Sequence, residues 1–332
     1  MQRIAVVFAP NPPRPPLTTP IPAPRTTELQ AAAAAAIGST AVGFVPFFMN
    51  GLQHAGVDTV SALALRYFVA VLVLVPLALW LTGGLAAEWR RGGHWLVLNG
   101  LTLGTFQVYC YFKAIETLAT SVVVTIFYVY PVIAIVLDRF MFGLEVRRTT
   151  LLAVAIVIAG VGLTSLPGFA GAGLDPTGLF FAALAPVGYA AYIAAAYPVT
   201  KRVAPLASAV FIYGAYAVAF GAWALLRGFK LPAEPGLWLN VLYIGTLGGA
   251  LQVASFAYAL PRLSSSGYAI IVCLEVVTVV VAGVLLLGET LVPVQWLGVA
   301  LVLGGILLER LSRAAAVRRA APVVQPGDAS PP

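Results

Sequence analysis

Charged residues are scarce in this chain of 332 residues: Asp, Glu, Lys and Arg together make up only 9%. Soluble domains carry about 25% of such residues. Hydrophobic residues account for 61%, and the mean hydropathy is +0.96. A soluble core cannot hide this much apolar surface. The composition therefore excludes an ordinary soluble domain and indicates a polytopic membrane protein.

Cysteine and histidine are also rare, with two of each. Cys110 and Cys273 both fall inside apolar segments, which argues against a disulfide scaffold or a metal site. Neither the phosphate-binding pattern G-x-x-x-x-G-K-[ST] nor the zinc-protease pattern H-E-x-x-H occurs. We therefore expect no metal, no cofactor and no enzymatic activity. The net charge of +7 comes from basic residues scattered singly or in pairs, so we expect no nucleic-acid partner.

Long apolar runs fill most of the chain, and most have the roughly 20 residues that a spanning helix needs. They predict an all-α polytopic membrane protein with ten transmembrane helices joined by short connections. A Pro-rich tail, 1–28, precedes them and is expected to be disordered, and a second tail, 311–332, follows. The segments lie at approximately 31–50, 60–82, 94–115, 120–142, 150–166, 177–197, 205–226, 237–259, 265–287 and 293–308.

The distribution of basic residues predicts the orientation. With an N-terminus inside the cell, fifteen of the nineteen Lys and Arg residues lie on the inner side, and only Arg227 and Lys230 lie outside. Arg66 and Lys113 fall within segments. This asymmetry predicts a multi-pass protein of the cytoplasmic membrane with both termini in the cytoplasm, and it requires an even number of spans.

An internal repeat relates the two halves of the chain. A shift of 145 residues aligns polar and glycine positions, which count for more than matches between apolar residues. Each half contains five predicted helices, an odd number, so the halves must insert in opposite orientations. We therefore predict two inverted five-helix repeats, at 29–168 and 175–310, with a binding site between them near the bilayer midplane. The informative pairs are Gly100 with Gly245, Gly104 with Gly249, Gln107 with Gln252 and Gly143 with Gly288.

One carboxylate stands near the middle of the ninth segment. Glu275 lies ten residues after Ser265, roughly 15 Å deep at 1.5 Å per helical residue, near the centre of a core roughly 30 Å thick. An ionisable group at this depth is costly and usually functional, and Glu275 aligns with Tyr130 of the first half. It could bind a substrate amine or couple transport to protons. The alternative is a neutral, hydrogen-bonded residue that ties helices together.

Other polar and helix-bending residues have two readings each. Gln107 and Gln252 could contact a polar substrate or join helices. The glycine pairs fit close helix packing better than substrate contact. Pro46 and Pro186 are expected to interrupt the first and sixth helices, either at a binding cleft or without a role in transport. Arg66 could extend to the membrane interface or attract an anionic or zwitterionic substrate.

Two sequence patterns resemble a known family. Tyr130-Pro131 through Gly143-Leu144-Glu145, and Leu274-Glu275-Val276 through Gly288-Glu289, are similar to the helix ends of EamA-type proteins of the drug/metabolite transporter superfamily. Ala64-Leu65-Arg66-Tyr67 resembles the second-helix motif of that family. The resemblance covers about residues 30–310 and implies ten helices and the export or exchange of small metabolites. Val276 replaces the usual proline, which predicts a straighter ninth helix.

The sequence therefore favours a secondary transporter for small metabolites, such as amino acids or related compounds, that works by alternating access. Its partners would be the substrate and the lipid bilayer, with Glu275 as the group that couples protons, in a monomer or homodimer. The alternatives are a membrane enzyme acting on lipid-linked substrates, or a channel or scaffold. The predicted substrate-binding residues are Glu275, Tyr130, Tyr128, Gln107, Gln252, Tyr111, Tyr189 and Tyr192.

Overall fold

The computed structural model describes residues 25–115, 117–118, 120–143, 147–169, 175–263, 265–287 and 292–320. The aligned ends at Leu144-Glu145 and at Gly288-Glu289 lie outside the described residues, as does most of the predicted N-terminal tail. The ten predicted segments correspond to ten helical units, α1 to α10. By length and composition, six helices of the described part can cross a membrane, and three shorter apolar helices accompany them.

The first five units form one repeat. They are α1 (Arg25–Gly43 and Val45–His54), α2 (Thr59–Thr82), α3 (86–115), α4 (Thr120–Phe127 and Tyr130–Phe142) and α5 (Arg148–Phe169). The second repeat contains α6 (Pro176–Thr200), α7 (Pro205–Arg227), α8 (237–259), α9 (Ser265–Val272 and Leu274–Leu287) and α10 (Pro293–Ala320). We call the end of the bundle where α1 begins and α10 ends the terminal face, and the opposite end the distal face.

Two helical boundaries extend beyond the apolar segments. The first helix begins at Arg25, inside the predicted tail 1–28, and α10 continues to Ala320, inside the predicted tail 311–332. The extension of α10, 311–320, is rich in Ala and Arg, which are strong helix formers. Helix propensity therefore carries α10 past the point where hydropathy alone would end it.

Local signals set the start and end of α2. The Asp58 side chain accepts hydrogen bonds from the backbone N–H groups of Val60 and Ser61 and from the Ser61 hydroxyl. Burial alone would raise the pKa of Asp58, but these hydrogen bonds outweigh it and hold the pKa below its ordinary value. Gly83 ends the helix with φ of 69°, a conformation that glycine adopts without strain.

The helix pairs show the symmetry of an inverted repeat. Equivalent helices of the two halves pack on each other in the pairs α2 with α7, α4 with α9 and α5 with α10. The contact between α1 and α8 is mirrored by the contact between α6 and α3. The fold is thus an all-α membrane bundle of two inverted five-helix repeats, as the sequence predicts.

The aligned glycines allow close packing between the halves. A Cβ atom on Gly100 would lie 2.8 Å from Cβ of Ala215 in α7, and one on Gly245 would lie 2.5 Å from Cβ of Val69 in α2. Each glycine borders a short stretch of wide, π-helical turns, Gly100–Gly104 in α3 and Thr246–Leu251 in α8. Such turns leave carbonyl groups free for other donors and often occur at functional sites.

The prolines in the first and sixth helices act differently. Pro46 lies in the first turn of the second part of α1, which begins at Val45 after the break at Phe44. Pro186 lies inside α6, which is continuous from Pro176 to Thr200. The predicted interruption is therefore found in α1 and not in α6. The missing N–H of a proline weakens one helical hydrogen bond, and the buried surroundings of Pro186 hold its helix together.

One carboxylate joins the two halves at the terminal face. Glu88, at the start of α3, is buried and accepts a hydrogen bond of 2.7 Å from the backbone N–H of Ala204. It also pairs with Arg91. Ala204 precedes α7 and has no capping side chain of its own, so Glu88 supplies the negative charge that a helix N-terminus favours.

Replacing Glu88 with alanine is therefore expected to lower the free energy of unfolding by about 1 kcal/mol, as the loss of a helix cap does. Thermal unfolding of the purified protein measures this effect. Glu234→Ala provides a matched control, because Glu234 is exposed in the connection between α7 and α8. Equal behaviour of the two variants would show that Glu88 does not stabilise the start of α7.

Candidate functional site

A cavity of about 480 Å³ lies between the two halves. Helices α1 to α4 and α6 to α9 contribute to its wall, whereas α5 and α10 pack on each other at the side of the bundle. Lining residues reach Gln53 and Ile115, in the last turns of α1 and α3 at the distal face. Its size and mixture of aromatic and polar side chains suit a small molecule.

Seven of the eight predicted site residues line this cavity together. They come from five helices and from both repeats, so the sequence alignment brought together positions that meet in space. Whether these residues contact substrate stays a prediction, which their common location supports. The seven are Glu275, Tyr128, Gln107, Gln252, Tyr111, Tyr189 and Tyr192.

Tyr130, the eighth predicted residue, lies behind the cavity wall. Its side chain is completely buried, and its hydroxyl donates a hydrogen bond of 2.9 Å to the backbone oxygen of Ala269 in α9. Its ring packs against Tyr189, with ring centroids 4.8 Å apart. The structure therefore places Tyr130 as a link between α4 and α9 that supports the cavity wall.

The ninth helix is interrupted beside Glu275. Cys273 separates the two parts of α9, and its N–H bonds the oxygen of Ile270 instead of the oxygen of Ala269. The freed Ala269 oxygen accepts hydrogen bonds from Tyr130 of the other half and from the Cys273 thiol. The prediction of a straighter helix was therefore wrong, because the hydroxyl of Tyr130 satisfies the carbonyl that the break exposes.

The break sets the position of Glu275. The second part of α9 begins at Leu274, so Glu275 stands in its first turn, where the helix dipole favours a negative charge. Tyr128, on α4, lines the same cavity, and its buried hydroxyl makes no hydrogen bond of ordinary length and angle. The equivalent break in α4 falls at Tyr128 itself, so the two helix interruptions bring these side chains together at the cavity.

The two aligned glutamines are both part of the wall. The side-chain oxygen of Gln252 accepts a hydrogen bond of 2.8 Å from the Tyr213 hydroxyl. Gln107 packs beside Gly188, where an added Cβ would lie 3.0 Å from the Gln107 Cβ. Gln252 thus joins α8 to α7 and lines the cavity as well, so the two readings of this residue are compatible.

An aromatic layer closes the cavity toward the terminal face. Tyr192 stacks on Phe256 with ring centroids 5.7 Å apart, and Phe256 meets Tyr268 edge to face at 5.2 Å. Tyr189 stacks on the other side of Tyr192 at 6.1 Å. We call these four residues the aromatic layer. They come from α6, α8 and α9, so movement among these helices would open or close this side.

Arg66 is a cavity residue that the predicted site omitted. Its side chain is only 7% exposed and lines the cavity, so it does not extend to the membrane interface. Its Nη2 donates a hydrogen bond of 2.7 Å to the oxygen of Gly248, within the π-helical turns of α8. The signal was available in the sequence, since a cation inside an apolar segment is a functional candidate by default.

Two known proteins resemble this chain, one in sequence and one in fold. A transporter of Archaeoglobus fulgidus whose substrate is not stated is 26% identical over 283 residues, which cover 83% of this chain and 94% of the relative. A protein of known crystal structure superposes with a TM-score of 0.73 at 15% identity, over 89% of this chain and 99% of that one, which shows the same fold. The EamA-like transporter family matches residues 29–166 and 176–310. The chain belongs to the EamA-like transporter family.

Proposed function

We propose that this membrane transporter exports or exchanges small metabolites, amino acids or related compounds, by alternating access. The observation that carries this proposal is the cavity between the two inverted repeats, where Glu275 and six other predicted site residues meet. Inverted-repeat transporters bind their substrates near the midplane between the halves. A rocking motion of one half against the other would expose the cavity to each side in turn.

The distribution of basic residues supports an assignment of the membrane side to which this cavity opens. Their asymmetry supports a terminal face that lies in the cytoplasm, with the protein in the plasma membrane. The aromatic layer then closes the cytoplasmic side, and the lining residues Gln53 and Ile115 lie toward the outside. The arrangement corresponds to an outward-facing state. Opening of the aromatic layer, with closure around Gln53, would give the inward-facing state.

Glu275 is the proposed coupling group. A carboxylate in the cavity can bind the amine of a substrate or a proton, and each partner would neutralise a charge that is costly at this depth. The unpaired hydroxyl of Tyr128 beside it can donate to the ionised carboxylate after a small rotation. Competition between amine and proton for one carboxylate would link outward movement of substrate to inward movement of protons.

Counterflow in proteoliposomes tests the proposed function. Liposomes containing the purified protein would be loaded with an unlabelled amino acid, amine or sugar and diluted into the same compound in labelled form. We expect transient accumulation of label that saturates with concentration for at least one compound, and none in empty liposomes. A linear, unsaturable flux would instead indicate a channel, and no flux with any compound of the panel would contradict the proposal.

A further inference from the structure

The guanidinium group of Arg66 is held in place but not fully paired. One of its five N–H donors bonds the oxygen of Gly248. The Nε atom is buried and has no hydrogen-bond partner. A buried, unsatisfied donor on a charged group costs more than a neutral one. The cavity wall therefore contains a buried cation, only 7% exposed, that has N–H donors without a partner.

Neighbouring aromatic residues fix the orientation of Arg66. Its guanidinium carbon lies 5.7 Å from the centre of the Tyr67 ring, a distance at which a cation and a π-system attract each other. Tyr213 stands beside it, and the hydroxyl of Tyr213 donates to Gln252. Tyr213 and Tyr67 also meet edge to face at 5.0 Å. The arginine is thus preorganised, which reduces the entropy lost when a ligand binds.

Arg66 and Glu275 present opposite charges to the same cavity. Arg66 comes from α2 of the first repeat, and Glu275 comes from α9 of the second. Both residues line the cavity, and no direct ion pair joins these two described residues. Unpaired donors remain at both ends, Nε at Arg66 and the Tyr128 hydroxyl at Glu275. A net-neutral molecule that carries one charge of each sign would satisfy both ends at once.

We propose that Arg66 determines specificity by binding a carboxylate of the substrate, and that the cavity consequently selects zwitterions over amines without a carboxylate. The guanidinium group is planar and keeps N–H donors beyond the one that bonds Gly248, a geometry that matches the two oxygens of a carboxylate. Glu275 would hold the ammonium group of the same molecule. This inference rests on the proposed function because it names the substrate chemistry of the same cavity.

Ligand-induced stabilisation of the purified protein tests the inference without transport. We would measure the melting temperature against rising concentrations of leucine, of 3-methylbutylamine, which lacks the carboxylate, and of 4-methylpentanoate, which lacks the amine. We expect half-saturation by leucine at a concentration at least about tenfold lower than by either analogue, as loss of a charge-assisted hydrogen bond implies. Equal response to leucine and to the amine would overturn the inference with the wild-type protein alone.

Two variants connect the selectivity to Arg66. Arg66→Gln should lose the preference for leucine over 3-methylbutylamine and respond to the amine no less than the wild type does. Arg227→Gln is the matched control, because Arg227 is exposed at the end of α7 and should leave the preference unchanged. An Arg66→Gln protein that keeps the tenfold preference would overturn the inference.

Counterflow separates this inference from the proposed function. Stabilisation by leucine that depends on Arg66, together with absence of counterflow by any compound, would support the binding site and contradict transport. Saturable counterflow of leucine that Arg66→Gln leaves unchanged would support transport and overturn the role of Arg66. The two ideas thus fail on different measurements.

Discussion

Replacing Glu275 with glutamine is expected to lower counterflow by at least about 30-fold while the protein remains folded. The change keeps the shape of the side chain and removes its charge, so a substrate amine or a transported proton loses its binding partner. Loss of one member of a desolvated charge interaction typically costs 2–5 kcal/mol. The initial rate of saturable counterflow in proteoliposomes, at equal amounts of inserted protein, measures the effect.

A matched substitution distinguishes the role of Glu275 from a general effect of lost charge. Glu234→Gln makes the same chemical change at an exposed position between α7 and α8 and should retain full counterflow. The melting temperature of the Glu275→Gln protein should be close to that of the wild type, because no hydrogen bond to a structural partner depends on its charge. Normal counterflow by Glu275→Gln would leave the carboxylate with a role in helix packing alone.

The sequence was sufficient to predict the helices and most of the cavity for a physical reason. Hydropathy identifies each helix because a bilayer requires a continuous apolar segment, and the repeat identifies which positions meet because the two halves are related by symmetry. Glu275, Gln107 and Gln252 were found by these two signals together. Tyr130 lies behind the cavity wall. Its position there could not be predicted, because alignment gives the depth of a residue but not the direction of its side chain.

Arg66 shows a second limit in predicting the position of a side chain in the membrane from sequence. Its distance from the end of α2 allowed either contact with the interface or burial in the bundle, and flexible cationic side chains frequently extend to the interface. Burial depends on the carbonyl of Gly248, which accepts a hydrogen bond from Arg66 within the π-helical turns of α8. Such turns are not visible in a hydropathy pattern, so the partner of Arg66 could not be predicted.

The interrupted ninth helix shows how symmetry can preserve a shape without the residue that produces it. In α4 the break is next to Pro131, which has no N–H to donate. In α9 the position equivalent to Pro131 is occupied by Val276. The break nevertheless persists at Cys273, because the hydroxyl of Tyr130 donates a hydrogen bond to the oxygen of Ala269. A single hydroxyl from the first repeat therefore stabilises in the second repeat the geometry that proline gives to the first.

Substitution of Gly298 with valine is expected to cause the largest loss of stability among simple changes outside the cavity. Gly298 in α10 and Gly160 in α5 lie at the closest approach of these helices, where a Cβ on Gly298 would meet the oxygen of Gly160 at 2.6 Å. It would also lie 2.7 Å from the backbone N of Thr164. Backbone atoms cannot rotate away as a flexible side chain can, so the two helices would have to separate.

The expected loss of stability follows from the close packing of α5 on α10. Overpacking typically costs 1–3 kcal/mol, and a clash with backbone atoms belongs to the upper end, which for a chain of this length predicts a fall in melting temperature of about 4 °C. Gly304→Val is the matched control, since Gly304 lies six residues further along α10 with nothing within 4 Å of an added Cβ. Similar melting temperatures for the two valine variants would show that close contact between α5 and α10 is not required for stability.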